Sequence, residues 1–284
     1  MEYKSRCSPG NHKNNSCYDL DDLQIIAKCI NKSKKFRIEV NCSKKELYKG
    51  IKKIIDTISK CKYEDDWLDI DIILNHLSKK EKNILENNFR PPKPKNLKND
   101  MKAWLSNLDI DLVMKQYSDN NKDVYYYDAS PINFNLKILN KCIVSDLCSF
   151  NLPEHINNGI RKVCMVFNTD PHYKPGHHWI SLYLDIYGSN NKHPGIYYFD
   201  SAGNKPPPNI EELINKIRVQ GLNNNIKIKY YYNDIQHQKK HAECGVYCLH
   251  FLSSMIRNTN FKKYVSVIKD DNYMNNFRNI FYRD

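Results

Sequence analysis

The sequence predicts an α+β protein: a helical segment followed by a mixed region of strands and helices. Apolar residues recur every three or four positions before residue 90, where "DLDDLQIIAKCI" (19–30) and "SKKELYKGIKKIIDTI" (43–58) read as amphipathic helices. Beyond it, short runs rich in Val, Ile and Tyr alternate with helical patterns in no regular βαβ order, which favours α+β over α/β. Between the two lies "FRPPKPKN" (89–96), where proline removes an amide donor and forces its predecessor into extended geometry.

Taken in order, Ser43 and Glu46 form a capping box ahead of Leu47, Ile51, Ile54, Ile55 and Ile58. A third helix is expected through "WLDIDIILNHL" (67–77), extending toward Leu85. These elements make residues 1–90 a helical N-terminal arm, with 91–100 as a Pro/Lys-rich linker and 101–284 as the main domain. In that domain a helix is expected over 101–117, and strands over 162–168, 179–187, 195–200 and 226–233. Further helices are expected over 209–220 and 244–257. The last, "CGVYCLHFLSSMIR", has almost no polar face and belongs in the middle of the domain.

No run approaches the roughly eighteen apolar residues of a membrane span, and "MEYKSRCSPGNHKNN" holds no apolar signal core. The chain is therefore read as soluble, not secreted and without membrane contact. Its ten cysteines are scattered along 284 residues, so reduced thiols in a reducing compartment are expected. Cys7 with Cys17 could still form a metal or disulfide pair, but their ten-residue separation fits no zinc spacing. The formal charge of +12 favours an acidic partner and allows weak, sequence-independent nucleic-acid contact. That charge is spread, however, and abundant Lys, Asn and Ile also follow from A/T-rich coding.

Chemistry concentrates around "QHQKKHAECGVYCLHFL" (236–252), which places Cys244 at the N-terminus of the buried helix. A thiol is a good nucleophile only as thiolate, a form favoured by a helix N-terminus and a neighbouring imidazolium. "GHHWISLYLDI" puts His177 and His178 at the mouth of one strand, and "GIYYFDSAGN" ends the next with Asp200. If those strands are neighbours, Asp200 orients an imidazole whose other nitrogen faces Cys244. His178 is the candidate base, because it abuts Trp179 at the strand start. Gln238, six residues before Cys244, is the candidate oxyanion donor beside the Cys244 amide. Gly245 lacks a β-carbon, which would let substrate backbone or the histidine loop approach. Cys248 is read as packing. His241, Cys244, Cys248 and His250 do not share the helix face a zinc tetrahedron requires, so no metal and no cofactor is expected.

With His178-Trp179, Asp200-Ser201, Gln238 and Glu243-Cys244-Gly245 in that order and spacing, the chain resembles the Ulp1/adenain-type cysteine peptidases. That group holds SUMO-deconjugating enzymes, the adenovirus protease and the polyprotein proteases of African swine fever virus and giant viruses. "WLSNLDIDLVM" (104–114) resembles the helix that opens the SUMO-protease domain, and the likeness covers roughly residues 101–257. "FNTDPHYKPGHHW", "DSAGNKPPP" and "HQKKHAECG" look most like the swine fever enzyme, as does a cysteine-containing arm ahead of a proline-rich join. One departure is that the swine fever enzyme has Asn where this chain has Asp200.

The resemblance implies a central mixed sheet with a buried nucleophile helix, a triad of Cys244, His178 and Asp200, and Gln238 as oxyanion donor. It implies polypeptide substrates cut after a Gly-Gly step, with Trp179 and Trp104 as plates of a slot that admits only glycine. It further implies processing of structural polyproteins in the virion and in host-cytoplasmic viral factories. Two rival functions remain open at this point: removal of ubiquitin-like proteins by the same chemistry, and non-catalytic binding to nucleic acid or capsid.

Overall fold

The computed structural model describes residues 6–9 and 16–283; the rest of the stretch read as lacking a signal core, and Asp284, lie outside the described residues. The chain divides into two compact units, one running to Pro92 and including Arg283, the other from Lys93 to Tyr282.

In the first unit, reciprocal capping boxes start three helices: Asp19 with Asp22 opens α1 (Leu20–Lys32), Ser43 with Glu46 opens α2 (Lys44–Ile58), and Ser78 with Glu81 opens α4 (Lys79–Glu86). The single helix expected from Trp67 is instead a 3-10 turn, Asp65–Asp69, followed by the short α3 (Asp71–Leu74). Ile70 between them is extended, and the break lets Trp67, Leu68 and Ile73 all reach the core formed with Leu23, Ile26, Leu47 and Ile51.

Not every cysteine is a thiol. Cys7 is bonded to Cys17 and, in the second unit, Cys142 to Cys148, which corrects the expectation of ten reduced side chains. In the first unit the chain path explains the pairing. Ser8 N donates to Asn88 O at 2.8 Å and Cys7 bridges Phe89, so Cys7 is held 5.1 Å, Cα to Cα, from the residue that leads into α1. Cys29, Cys42, Cys61, Cys164, Cys244 and Cys248 are free.

The second unit begins with the short α5 (Lys95–Asn99), inside the stretch expected as linker, and Leu97 on it is buried in the core. The helix expected over 101–117 is α6 (Asn107–Asn120), because the Ser106–Asp109 capping box fixes its start. Trp104 therefore stands on irregular backbone ahead of the helix. β1 (Val124–Pro131) was missed: its three consecutive tyrosines carry no simple polar and apolar alternation. A small hairpin, β2 (Lys137–Ile138) and β3 (Lys141–Cys142), and two short helices, α7 (Ser145–Cys148) and α8 (Leu152–Asn157), precede the central strands. These are β4 (Lys162–Asn168), β5 (Trp179–Asp185) and β6 (Gly195–Phe199), followed by α9 (Pro208–Asn223), β7 (Lys229–Tyr232) and α10 (Cys244–Ile256). Two C-terminal helices, α11 (Phe261–Ser266) and α12 (Asp271–Phe281), were not anticipated.

Five strands form one mixed sheet in the order β1-β4-β5-β6-β7, with β1 and β4 parallel, β6 and β7 parallel, and the central pairs antiparallel. Alternate side chains serve opposite layers, as a pleated strand requires. Ile196 and Tyr198 of β6 pack with Leu213 and Ile217 of α9, while Tyr197 and Phe199 pack with α10. Every residue of α10 is buried, so this helix fills the layer it occupies. Cys248 is part of that packing.

Candidate active site

The antiparallel register sets Ser181 opposite Phe199, so the residues just before β5 and just after β6 emerge at the same sheet edge. These are His178 and Asp200, and Nε2 of the imidazole lies 2.6 Å from Oδ1 of the carboxylate. That contact leaves Nδ1 uncommitted, and the Cys244 thiol is near enough to raise the titration of the ring. Burial opposes protonation of His178, but the hydrogen bonds and charges of Asp200 and Cys244 override it and push the imidazole up to about 10. The adjacent His177 is solvent-exposed, and its backbone N–H donates to Asn168 Oδ1 at 3.1 Å.

Asp200 is gripped on all sides. Oδ1 also accepts from Ala202 N at 2.8 Å, and Oδ2 accepts from Asn204 Nδ2 at 3.1 Å. The side chain of Asn233, just beyond β7, clasps the backbone on both flanks: Asp200 N donates to Asn233 Oδ1 at 2.9 Å, and Asn233 Nδ2 donates to Asp200 O at 2.8 Å. Gly203 adopts φ +78°, and a β-carbon there would stand 2.9 Å from Gln236 N, so only glycine lets this turn lie against the loop that carries Gln238.

Gln238 is buried beside that turn. Ser201 holds it twice: its hydroxyl donates to Gln238 Oε1 at 2.6 Å, and its carbonyl accepts the N–H groups of His237 and Gln238, each at 2.9 Å. This fixes which face of the amide carries nitrogen. Nε2 donates to Lys240 O at 2.6 Å, and the second N–H of the amide group is left for another acceptor.

Trp104 and Trp179 face a cleft of ≈ 430 Å³, whose other walls include Ser130, Asn168 and Gly176. The two rings differ in freedom. Trp179 is buried and its Nε1 donates to Leu105 O at 2.9 Å, whereas Trp104 is 41% exposed. Trp104 also borders a second cleft of ≈ 670 Å³, lined by His178, Asp200 and Gln238. Cys244 is buried, 1% exposed, and is not part of the lining of either cleft.

Gly245 does not serve the role expected of it. A β-carbon there would meet Leu105 Cβ at 3.1 Å and Ile110 Cδ1 at 3.4 Å, and Gly245 lines neither cleft. Its missing side chain admits Leu105, the neighbour of Trp104, rather than substrate or the histidine loop.

Sequence reasoning also missed Arg278 of α12, which is fully buried. Its guanidinium donates to Ala103 O at 2.8 Å and Ala242 O at 3.0 Å, and so joins the Trp104 segment to the loop before Cys244. Glu243, buried next to it, accepts from Ala242 N and from Asn275 Nδ2, each at 3.0 Å. His250 is occupied elsewhere, sharing a 2.8 Å hydrogen bond with Tyr264. Among the described residues no group of three or more His, Cys, Asp or Glu side chains is placed to hold a metal. No helix among them is long and apolar enough to cross a membrane.

Residues 130–280, more than half of the chain, match the family model described as YopJ serine/threonine acetyltransferase. The chain belongs to this family. Relatives that span more of it are named as proteases. A protein of Acanthamoeba polyphaga mimivirus named as a thiol protease is 28% identical over 98% of this chain and 93% of its own length. A cysteine protease of African swine fever virus is 26% identical over 70% of this chain and 73% of its own. The crystal structure of an African swine fever virus protease superposes with a TM-score of 0.65 at 18% identity, covering 98% of this chain and 96% of that one, and so shares the fold. The protein is a viral-type cysteine protease. A protease of this kind and an acyltransferase differ in the acceptor for the acyl group, water in one case and a hydroxyl in the other.

Proposed function

We propose that this protease cuts polypeptides after a Gly-Gly step through a triad of Cys244, His178 and Asp200. The observation that carries this reading is the 2.6 Å contact of His178 Nε2 with Asp200 Oδ1, with the Cys244 thiol close enough to act on the same imidazole. Cys244 Sγ attacks the carbonyl carbon of the second glycine, and the oxyanion accepts hydrogen bonds from the Cys244 amide and the remaining N–H of Gln238. The C–N bond then breaks, and His178 gives its proton to the leaving amine. Water, deprotonated by His178, attacks the thioester carbonyl and releases the carboxylate product together with Cys244.

Trp104 and Trp179 line one cleft, and a slot between two indoles would admit glycine and turn away larger side chains. The kinship with viral proteases supports structural polyproteins as substrates, cut during virion maturation in the virion or in cytoplasmic viral factories. The test is hydrolysis of a Gly-Gly-Ala peptide: Cys244→Ala and His178→Ala are each expected to abolish it, and turnover retained in either refutes the assignment.

A second reading, deconjugation of a ubiquitin-like protein, is favoured by one African swine fever virus relative being named a SUMO-1 cysteine protease. Cleavage of a full-length SUMO precursor without cleavage of the linear peptide would select it.

A further inference from the structure

We propose that the cleft beyond His178 selects substrates with acidic residues immediately after the scissile bond. The proposal rests on Cys244 being the nucleophile and adds the chemistry of the departing segment. Trp104 borders both clefts and His178 lines the second; with the Gly-Gly step seated between Trp104 and Trp179, as proposed above, the segment after the cut falls in the ≈ 670 Å³ cleft. The residues lining that second space therefore meet the substrate segment on the leaving-amine side of the cut.

Its walls are cationic. Lys205, Lys239 and Lys240 are exposed there, and none of their ammonium groups forms an ion pair among the described residues. The exposed imidazoles of His177 and His241 line the same space. Asp200 supplies the cleft's one carboxylate among the described residues, and both of its oxygens are already engaged, by His178, Ala202 and Asn204. The first cleft differs, since Asp170 accompanies Lys174 there.

The lysines also stand on fixed backbone. Lys239 N and Lys240 N donate to Asp271 Oδ2 at 3.1 and 3.0 Å, and Lys205 is next in the chain to Asn204, which is tied to Asp200. Lys240 Nζ donates to the neutral Asn272 Oδ1 at 3.5 Å, and cations without an ion partner lose less freedom on meeting a carboxylate when they stand on anchored loops than on mobile ones. An acidic peptide suits them better than nucleic acid because they wall the cleft that holds His178 and Gln238, within reach of residues flanking the reacting bond.

The experiment compares kcat/KM for three peptides that share a Gly-Gly core and carry Asp-Asp, Ala-Ala or Lys-Lys after it, at low and high salt. Exposed lysine–carboxylate pairs contribute a few-fold each, so the Asp-Asp peptide is expected to exceed the Lys-Lys peptide by about tenfold at low salt. In Lys205→Glu/Lys239→Glu/Lys240→Glu that ratio is expected to invert, and in the triple Gln variant to approach one. Equal cleavage of all three peptides by the wild type, or a ratio unmoved by charge reversal, overturns the proposal. So does a short DNA duplex that competes through these lysines while the peptides show no preference. If no peptide is cut, the Cys244 assignment fails instead. The acidic proposal is then decided by fluorescence anisotropy of the same peptides on wild type and charge-reversed protein, with equal affinities overturning it.

Discussion

Replacing Asp200 by Asn removes one negative charge while keeping an oxygen that can orient the His178 ring. The wild-type imidazole is raised to about 10, with Asp200 the leading favourable partner against burial. A carboxylate at contact distance moves a neighbour's titration by about 1–3 pH units, so the variant's imidazole should titrate near pH 7 to 9. If the protonated imidazole donates to the leaving amine, the basic limb of kcat/KM falls with it. At pH 9.5 the variant should then be at least about threefold slower relative to wild type than it is at pH 7. Stability obeys the same linkage. Because His178 titrates higher in the folded chain than the ~6.5 of an unfolded one, its contribution is complete below that pH and is lost as pH rises through about 10. The thermal midpoints of wild type and Asp200→Asn should therefore differ most below pH 6.5 and converge above pH 10. The assay is kcat/KM on one Gly-Gly peptide from pH 5 to 10.5, with calorimetry at matched pH values. A basic limb at the same pH in both proteins would refute the claim that Asp200 holds the proton on His178.

Two further substitutions probe the scaffold. Gly245→Ala places a methyl 3.1 Å from Leu105 Cβ, so overpacking of about 1–3 kcal/mol should lower the thermal midpoint by about 3 to 10 °C. Activity should fall as well, because Leu105 carries Trp104 and accepts from Trp179; an unchanged midpoint would contradict the contact. Ser201→Ala leaves the buried Gln238 Oε1 without its 2.6 Å donor, so kcat should fall with KM nearly constant while Ser201→Thr restores it. A rise in KM alone would instead place Gln238 in ground-state binding.

The parts of this fold written in local pattern could be read from the chain. Ser43 with Glu46 announces α2, and the apolar run after Cys244 announces a buried helix, because each signal is contained within one element. His178 and Asp200 could be paired because one stands at the start and the other at the end of a recognisable strand. What escaped depends on contacts distant in sequence. Arg278 reaches Ala103 and Ala242 from a helix whose pattern looks like an ordinary surface helix, and Asn233 gains its meaning only from Asp200 lying beside it. Gly245 was given to substrate because its true neighbour, Leu105, is 140 positions away (245 − 105). The Cys7–Cys17 pair could be named but not chosen over free thiols, because cysteine spacing does not reveal that Phe89 draws Cys7 toward α1.

Six cysteines are free, and Cys42 and Cys61 are both more exposed than Cys244. That contrast makes covalent capture the most direct test of Cys244 as an activated nucleophile. Intact protein is treated with one equivalent of a Gly-Gly vinyl sulfone and mapped by peptide mass spectrometry. The account predicts one adduct, on Cys244, that disappears in His178→Ala. Labelling that tracks exposure, with Cys42 or Cys61 modified and Cys244 untouched, would contradict it.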